Sequence, residues 1–180
     1  MEFIELAKMR RSVRSYQDKN IRHEDLLSCV DAARYAPSAC NTQPWKFIIV
    51  DDPEKRGEMA GIFRSKMYQM NSFASEAAAF IVIISEKQNL PAWLGGKIKN
   101  TDFRRIDVGI ACAHVVLRAA ELEIGTCILG WFDEKRIKKI LSIPRRKKIE
   151  LVISMGYPAE TEFRERRLKE KDEVSSSNKY

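Results

Sequence analysis

The stretch APSACNTQPWKFIIV, residues 36–50, joins a loop of small and polar residues to a run of β-branched and aromatic ones. Two prolines, Pro37 and Pro44, restrict the loop, and WKFIIV at 45–50 is typical of a strand that ends at Asp51-Asp52-Pro53. The stretch therefore predicts a rigid loop before a buried strand, with Ser, Asn and Gln groups that suit the edge of a heteroaromatic ring. An ordinary helix–strand connection is the alternative.

Three further apolar runs predict strands, and five segments predict helices. The strand candidates are AFIVIIS at 79–85, TCILGWF at 126–132 and IELVISMG at 149–156. The helix candidates lie at 2–9, 24–36, 54–70, 103–123 and 133–141. This order predicts one α+β domain of two or three layers, with no linker that divides the chain.

Three details of this outline carry specific expectations. The helix at 2–9 is expected to turn its apolar residues inward, namely Phe3, Ile4, Leu6, Ala7 and Met9. The helix at 103–123 is nearly apolar through its middle, which predicts burial in a core or at a subunit interface, and Gly125 suits the position just after it. Residues 87–102, which contain Gly and Pro, are expected to form a long loop.

Composition excludes several classes of protein. The chain has 180 residues with 44% hydrophobic and 32% charged, so it is neither disordered nor fibrous. Its longest apolar run, AAAFIVII at 77–84, is far below a membrane span, and MEFIELAKMRRSVRSY is not expected to act as a signal peptide, since it has no apolar core. The four cysteines have no C-x-x-C spacing, which predicts reduced thiols and a cytoplasmic location.

The net charge of +7 comes mostly from one run, DEKRIKKILSIPRRKK at 133–148. Nucleic-acid binding would favour basic residues interleaved with exposed aromatic ones, and this run has no aromatic residue. Ile137, Ile140 and Leu141 are spaced as one buried helix stripe. A solvated helix face is therefore the favoured interpretation, and nucleic-acid binding is not expected.

A second basic motif is RRSVRSY at 10–16, with three arginines and two hydroxyls in six residues. Forked guanidinium donors and short hydroxyls suit a phosphate monoester, although a basic surface turn is the alternative. In CILGW at 127–131, Gly130 would let the backbone approach a flat ligand closely, unless it marks only a bulge or turn. The tail segment RERR at 164–167 is a third basic motif, with solvated charge as the alternative.

Other chemistries lack support in the sequence. Neither a G-x-G-x-x-G motif nor a Walker A motif is present, so Rossmann and P-loop nucleotide sites are not predicted. Two histidines, His23 and His114, cannot build a histidine-rich metal centre, and the cysteine spacing does not predict zinc or an iron–sulfur cluster. No metal is expected, and thiol catalysis by Cys40 has no supporting signature.

Taken together, four segments of the sequence resemble the nitroreductase-like family of flavin mononucleotide (FMN) enzymes, in its compact branch. They are RRSVRSY, APSACNTQPWKFIIV, DVGIACAHVVLRAAELEIGTCILGWF at 107–132 and LVISMGYPAE at 151–160. The resemblance implies a three-layer α+β fold with a central mixed, mostly antiparallel sheet flanked by helices. It also implies an intertwined homodimer with two FMN sites at its interface. Residues 1–180 would form one domain, whose tail at 157–180 packs on the partner or closes the site.

The resemblance also implies roles for particular residues. The flavin phosphate and ribityl chain would be held by Arg10, Arg11, Ser12 and Arg14. The partner subunit would line the ring with Pro37, Ser38, Ala39 and Asn41, and Gln43 would bind the ring or brace that loop. Leu129 and Gly130 would lie near the ring. Tail arginines would close the phosphate end, with Arg164 and Arg166 favoured and Arg167 as a substitute.

The implied activity is flavin-centred and uses no catalytic side chain. NADH or NADPH would reduce the flavin, and a nitroaromatic, quinone or similar small acceptor would then reoxidise it in ping-pong turnover. Separately from the resemblance, residues 87–102 with Trp93 are a candidate acceptor-side lid, with a simple surface loop or a dimer-contact loop as the alternative. The alternatives are a dehalogenase or flavin-fragmenting enzyme of the same fold, a flavin binder without turnover, or a basic nucleic-acid-binding domain.

Overall fold

The computed structural model describes residues 2–160 and 166–180 of the chain. Seven helices and four strands occur in these residues, together with a 3₁₀ turn at Ala39–Asn41 and a 3₁₀ segment at Lys66–Glu76. In chain order they are α1 (Phe3–Met9), α2 (His23–Arg34), β1 (Trp45–Val50), α3 (Pro53–Phe63), β2 (Ala79–Ser85), α4 (Leu90–Lys99), α5 (Phe103–Glu121), β3 (Gly125–Leu129), α6 (Glu134–Ile140), β4 (Lys148–Gly156) and α7 (Lys171–Val174).

The four strands form one sheet in the order β1-β2-β4-β3, and each neighbouring pair is antiparallel. All four predicted strands are confirmed, although the third ends at Leu129 rather than at Phe132. Among the described residues, the parallel part of the sheet is a single bridge between Ser12 and Thr126. β1 and β3 are therefore the two edge strands of the sheet.

Helices cover both faces of the sheet, so the fold has three layers. Alternate residues of β2 enter two separate cores: Ile81 and Ile83 pack with α2 and α5, whereas Phe80 and Val82 pack with α3 and α6. Because β2 is buried on both faces, its sequence is a continuous apolar run without alternation. The predicted α+β class is confirmed.

The expected loop at 87–102 is wrong, because most of it is the helix α4. The side chain of Asn89 accepts a hydrogen bond from the amide of Ala92 at 3.1 Å, and Pro91 occupies the first turn, where its missing N–H costs nothing. Asn100 ends the helix in the left-handed region with φ 50°. The sequence pattern did not indicate this helix, because Gly95 and Gly96 have low helix propensity. Gly96 is required there, because a Cβ would lie 2.7 Å from the carbonyl oxygen of Thr101.

The expectation for α1 is also wrong, because none of its residues is buried in the chain. Phe3 and Ile4 are 65% and 62% exposed, respectively. Phe3 lies at one end of an apolar groove of about 660 Å³, whose floor is α5 with Ile106, Ile110 and Leu117. The apolar faces of α1 and α5 are thus only partly covered by this chain.

Two further observations concern the whole of the described chain. No helix of residues 2–160 and 166–180 combines the length and the apolar character that crossing a membrane requires. The four cysteines are all free thiols, and Cys40 alone among them is exposed.

Candidate functional site

The arginine segment, residues 10–16, lies along the edge strand β3. The amide of Val13 donates to the carbonyl of Thr126 at 2.9 Å, and Ser12 forms the parallel bridge to the same residue. Farther along, the Tyr16 hydroxyl lies 2.8 Å from Ser154 Oγ and donates toward the carbonyl of Val13 at 3.0 Å. Because Val13 and Tyr16 are buried, the residues between and before them face outward.

Two glycines form the floor under this segment. Gly125 and Gly156 are direct partners across β3 and β4. A Cβ on Gly125 would lie 2.7 Å from Val13 Cγ2, and one on Gly156 would lie 2.6 Å from Tyr16 Cδ1. Real Cβ atoms do not approach so closely, so the glycine pair sets how near the arginine segment comes to the sheet.

Among residues 2–160 and 166–180, no carboxylate lies within ion-pair distance of Arg10, Arg14 or Arg166. Burial lowers the pKa of Arg10, and the nearby positive charge of Arg166 lowers it further. Arg166 itself donates to the carbonyl of Ala7 at 3.4 Å, which holds the tail at the end of α1. Positive charges gathered without a counter-charge suit an anion, and a phosphate in particular.

A groove of about 660 Å³ runs beside these cations at the beginning of β3. Its basic lining comes from Lys8, Arg10, Arg11 and Lys19, and its floor includes Gly125 and Thr126. Lys8 and Lys19 were not predicted as site residues. Lys8 lies two positions before the arginine motif, but one lysine on a short helix does not by itself predict a site residue.

The other end of β3 carries the predicted ring contacts. Leu129 is buried, whereas Gly130 is exposed, and a Cβ on Gly130 would meet no atom within 4 Å. Thr126 and Gly130 are four residues apart, or about 13 Å along an extended strand. An elongated ligand with a phosphate at one end could therefore lie along this edge.

The 37–43 loop is held by its own hydrogen bonds. Ser38 Oγ accepts from the amide of Gln43 at 2.9 Å, and Gln43 Nε2 donates to Asn41 Oδ1 at 3.2 Å. Gln43 therefore braces the loop. Three residues of the loop, Cys40, Asn41 and Gln43, have φ near 50° although none is glycine. Such strain persists only where the surroundings over-determine the backbone, and it is most common at functional sites.

Two residues outside the loop also fix its backbone conformation. The carboxylate of Asp107 accepts from the amide of Ala39 at 3.2 and 3.3 Å, and Asn89 Nδ2 donates to the carbonyl of Cys40 at 3.0 Å. Burial raises the pKa of Asp107, and the hydrogen bond from Ala39 opposes that rise. Asp107 was not among the predicted site residues, although a single acid in the nearly apolar run of α5 was a signal. Asn89 gave none, because its segment was expected to be a loop.

The predicted site residues fall into two groups on opposite edges of the sheet. The arginine half comprises Arg10, Arg11, Ser12, Arg14, Leu129 and Gly130 on the β3 side, with Arg166 beside Arg10. The loop half comprises Pro37, Ser38, Ala39, Asn41 and Gln43, directly before β1. Three strand spacings, or about 14 Å, separate β1 from β3. The structure does not bring the two halves together within one chain.

The three tail arginines that were predicted as site residues differ in where they lie. Arg164 lies outside the described residues. Arg166 and Arg167 are both exposed, and Arg166 is the one that interacts with Arg10.

Comparison with known proteins agrees with the fold. The sequence profile of the Nitroreductase family matches residues 7–157. A protein of Streptococcus pyogenes, provisionally named an NAD(P)H nitroreductase, is 30% identical over 89% of this chain and 92% of its own length. An iodotyrosine deiodinase of Thermotoga neapolitana is 25% identical over 86% of this chain and 87% of its own.

One solved structure extends this agreement to three dimensions. A provisionally named nitroreductase of Exiguobacterium sibiricum, crystallised in complex with FMN, superposes with a TM-score of 0.79. The superposition covers 98% of this chain and 97% of that one, at 20% identity, so it shows a common fold. With the family profile covering most of the sequence, this chain belongs to the nitroreductase family.

Proposed function

We propose that the protein is an FMN-dependent NAD(P)H oxidoreductase that reduces quinones, nitroaromatics or similar small acceptors, and that it works as a homodimer. The observation that carries this proposal is the position of the two half-sites at opposite edges of one sheet. Two copies related by a twofold axis can place the arginine half of one against the loop half of the other, which creates two equivalent sites.

The apolar faces of α1 and α5 support the same arrangement. Obligate interfaces are rich in apolar surface, and a groove flanked by Phe3 is left uncovered in the single chain. A second copy is the occupant that this proposal requires.

The residues of the arginine half fit FMN. Arg10, Arg14 and Arg166 lack acidic partners among the described residues, so a phosphate would complete their charge balance. The Ser12 side chain is exposed beside them and can donate to a phosphate oxygen. At the far end of β3, the open space above Gly130 leaves its backbone accessible to a flat ring.

Bound FMN would supply the redox chemistry, namely hydride acceptance from NADH or NADPH and two-electron reduction of the acceptor. For a quinone the overall balance is quinone, NAD(P)H and a proton giving hydroquinone and NAD(P)⁺. The chain's own residues bind and orient the cofactor. The arginines hold its anionic phosphate end, and the fixed 37–43 loop offers amide and hydroxyl groups to the edge of its ring. Because the loop is rigid, it loses little conformational freedom on binding.

The proposed acceptor side lies on the loop half. Asn89 links α4 to the 37–43 loop, and Trp93 of α4 is half-exposed. In this proposal α4 takes the place of the expected lid loop.

A reductive dehalogenase is the second candidate, and the deiodinase relative of Thermotoga neapolitana favours it. Both candidates require FMN, so the acceptor distinguishes them. Release of halide from halogenated phenols under anaerobic conditions would select the dehalogenase, whereas turnover of quinones without halide release would select the oxidoreductase.

The first experiment is a visible spectrum of the purified protein, followed by anaerobic titration with NADH and NADPH. We expect oxidised-flavin bands that bleach with one or both donors. A colourless protein that takes up no added FMN would contradict the proposal.

The second experiment tests the shared site directly. One variant, R10A/R14A, damages the arginine half, and another, S38A/N41A, damages the loop half. Each alone should bind FMN weakly, but after the two are mixed and allowed to exchange subunits, about a quarter of the sites should regain wild-type affinity. No recovery on mixing would mean that each site lies within one chain.

A further inference from the structure

Trp131 is held in place although much of its ring faces solvent. Its indole N–H donates to the carbonyl of Met67 at 3.4 Å, and its own carbonyl accepts from Asn71 Nδ2 at 2.9 Å. Its ring centroid lies 6.3 Å from that of Tyr68. Nevertheless the side chain is 58% exposed. A large aromatic ring that is both fixed and exposed is an unusual surface feature, because burial would stabilise it further.

The 66–76 segment connects this tryptophan to the arginine half. At one end Tyr68 and Asn71 contact Trp131, and these two residues interrupt the helical geometry of the segment. At the other end the guanidinium of Arg14 lies 5.8 Å from the centroid of the Phe73 ring. The segment therefore contacts both Arg14 of the arginine half and Trp131, the residue that follows Gly130.

Two exposed methionines lie on the segment that holds Trp131. Met67 and Met70 are 71% and 78% exposed, and they project from the segment that holds the tryptophan. Methionine adapts its shape to aromatic partners and contacts ring edges favourably. Gly130, next to Trp131 in the chain, adds no side chain to the space beside it.

We propose that Trp131, flanked by Met67 and Met70, is a specificity-determining residue that selects extended planar aromatic acceptors, such as two-ring quinones, over single-ring ones. The inference rests on the proposed function, because it takes Gly130 to lie beside the flavin ring. A flat acceptor that reaches past this point would lie against the exposed face of the indole. A single-ring acceptor would be too short to gain this contact.

The test uses the holoenzyme with a two-ring naphthoquinone and a single-ring benzoquinone. In W131L the KM for naphthoquinone should rise about tenfold, which corresponds to the ~1.5 kcal/mol upper range of an aromatic pair. The KM for benzoquinone, the kcat values and the FMN affinity should stay within about twofold. W131F is the matched variant: it keeps an aromatic face but loses the hydrogen bond to Met67, and it should restore most of the naphthoquinone affinity.

A binding measurement gives a readout that does not depend on turnover. A two-ring aromatic that cannot be reduced, naphthalene-2-carboxylate, should perturb the flavin spectrum of the wild type and of W131F with similar Kd values, and that of W131L only at about tenfold higher concentration. Equal Kd values in all three proteins, or an equal rise in KM for both quinones, would overturn the inference.

Two other outcomes also overturn it and point to different roles. If W131L loses FMN, Trp131 acts by positioning Arg14 through the 66–76 segment. If W131L becomes monomeric in sedimentation, a second copy covers this surface. Failure of the proposed function itself would appear earlier and separately, as a wild-type protein that neither binds FMN nor is bleached by NAD(P)H.

Discussion

The two halves of the candidate site are built by opposite means. The arginine half rests on a floor of two glycines, and among the described residues Arg10, Arg14 and Arg166 have no carboxylate within ion-pair distance. The 37–43 loop instead has its polar groups bound to one another and to Asp107 and Asn89, with three residues in a strained backbone region. In the proposed site a phosphate would balance the charge of Arg10, Arg14 and Arg166, whereas the conformation of the 37–43 loop is already fixed by hydrogen bonds within the chain. Damage to the two halves should therefore have different signatures.

The largest expected effect is on the arginine half. In R10A/R14A, FMN affinity should fall about a thousandfold, since two charge-assisted contacts of about 2 kcal/mol each are lost. Stability without FMN should not fall, because the repulsion between Arg10 and Arg166 is relieved. Fluorescence titration with FMN and urea unfolding measure the two effects.

K135A/R136A is the matched control, since it removes the same charge from an exposed part of α6. If this control weakened FMN binding as much as R10A/R14A, net charge rather than the arginine half would be responsible.

The loop half should show the reverse pattern. D107A leaves the amide of Ala39 without its acceptor, which costs about 1–3 kcal/mol, so the urea midpoint should fall even without FMN. FMN affinity should fall by about tenfold as the loop loses its fixed shape. D107N keeps one acceptor oxygen, so its urea midpoint and its FMN affinity should lie between those of the wild type and those of D107A. An unchanged midpoint in D107A would mean that the loop is held by its internal hydrogen bonds alone.

The glycine floor gives a smaller and purely steric test. G125A should destabilise the fold by about 1–3 kcal/mol, because Val13 must move away from the new Cβ. Gly57, in α3, has no atom within 4 Å of the corresponding position, so G57A should instead stabilise the protein by about 0.5–1 kcal/mol. Thermal unfolding of both variants measures the difference. Equal shifts of the same sign would show that the floor is not tightly packed.

The smallest effect concerns pH and lies outside both halves. Burial acts to raise the pKa of Glu134, but hydrogen bonds from Lys138, Lys148 and the amide of Ile149 outweigh it and lower the pKa to about 2. Since the folded pKa is depressed, the stability from this group is present above about pH 4.5 and is lost as the pH falls toward 2. Urea midpoints between pH 2 and 6 should therefore fall less steeply in E134Q than in the wild type. An identical slope would assign the acid loss to other groups.

The sequence predicted best where one physical effect dominated. The four strands were found because continuous β-branched runs have few other uses, and the arginine motif was found because three arginines and two hydroxyls within six residues form a clear local pattern. α4 was missed because Gly95 and Gly96 weaken helix propensity, while tertiary contacts with the 37–43 loop and α5 stabilise it.

Gly125 shows how a correct pattern can have another cause. It was expected to end α5, yet Glu123 takes the left-handed conformation there, with φ 60°, and Gly125 begins β3. The glycine is needed for the approach of Val13, which lies more than a hundred residues away in sequence. A long-range contact of this kind leaves no local signal. Likewise, no pattern within one chain reveals that the two halves lie on opposite edges of the sheet.

The opposite-edge arrangement has a thermodynamic consequence for the proposed dimer. If each site draws on both copies, then FMN binds the assembled form better than the separate chain, and by linkage FMN must strengthen the association of the two copies. Dilution would release cofactor, and added cofactor would resist dilution. The supply of flavin and the amount of protein in the cell would then act on one shared equilibrium.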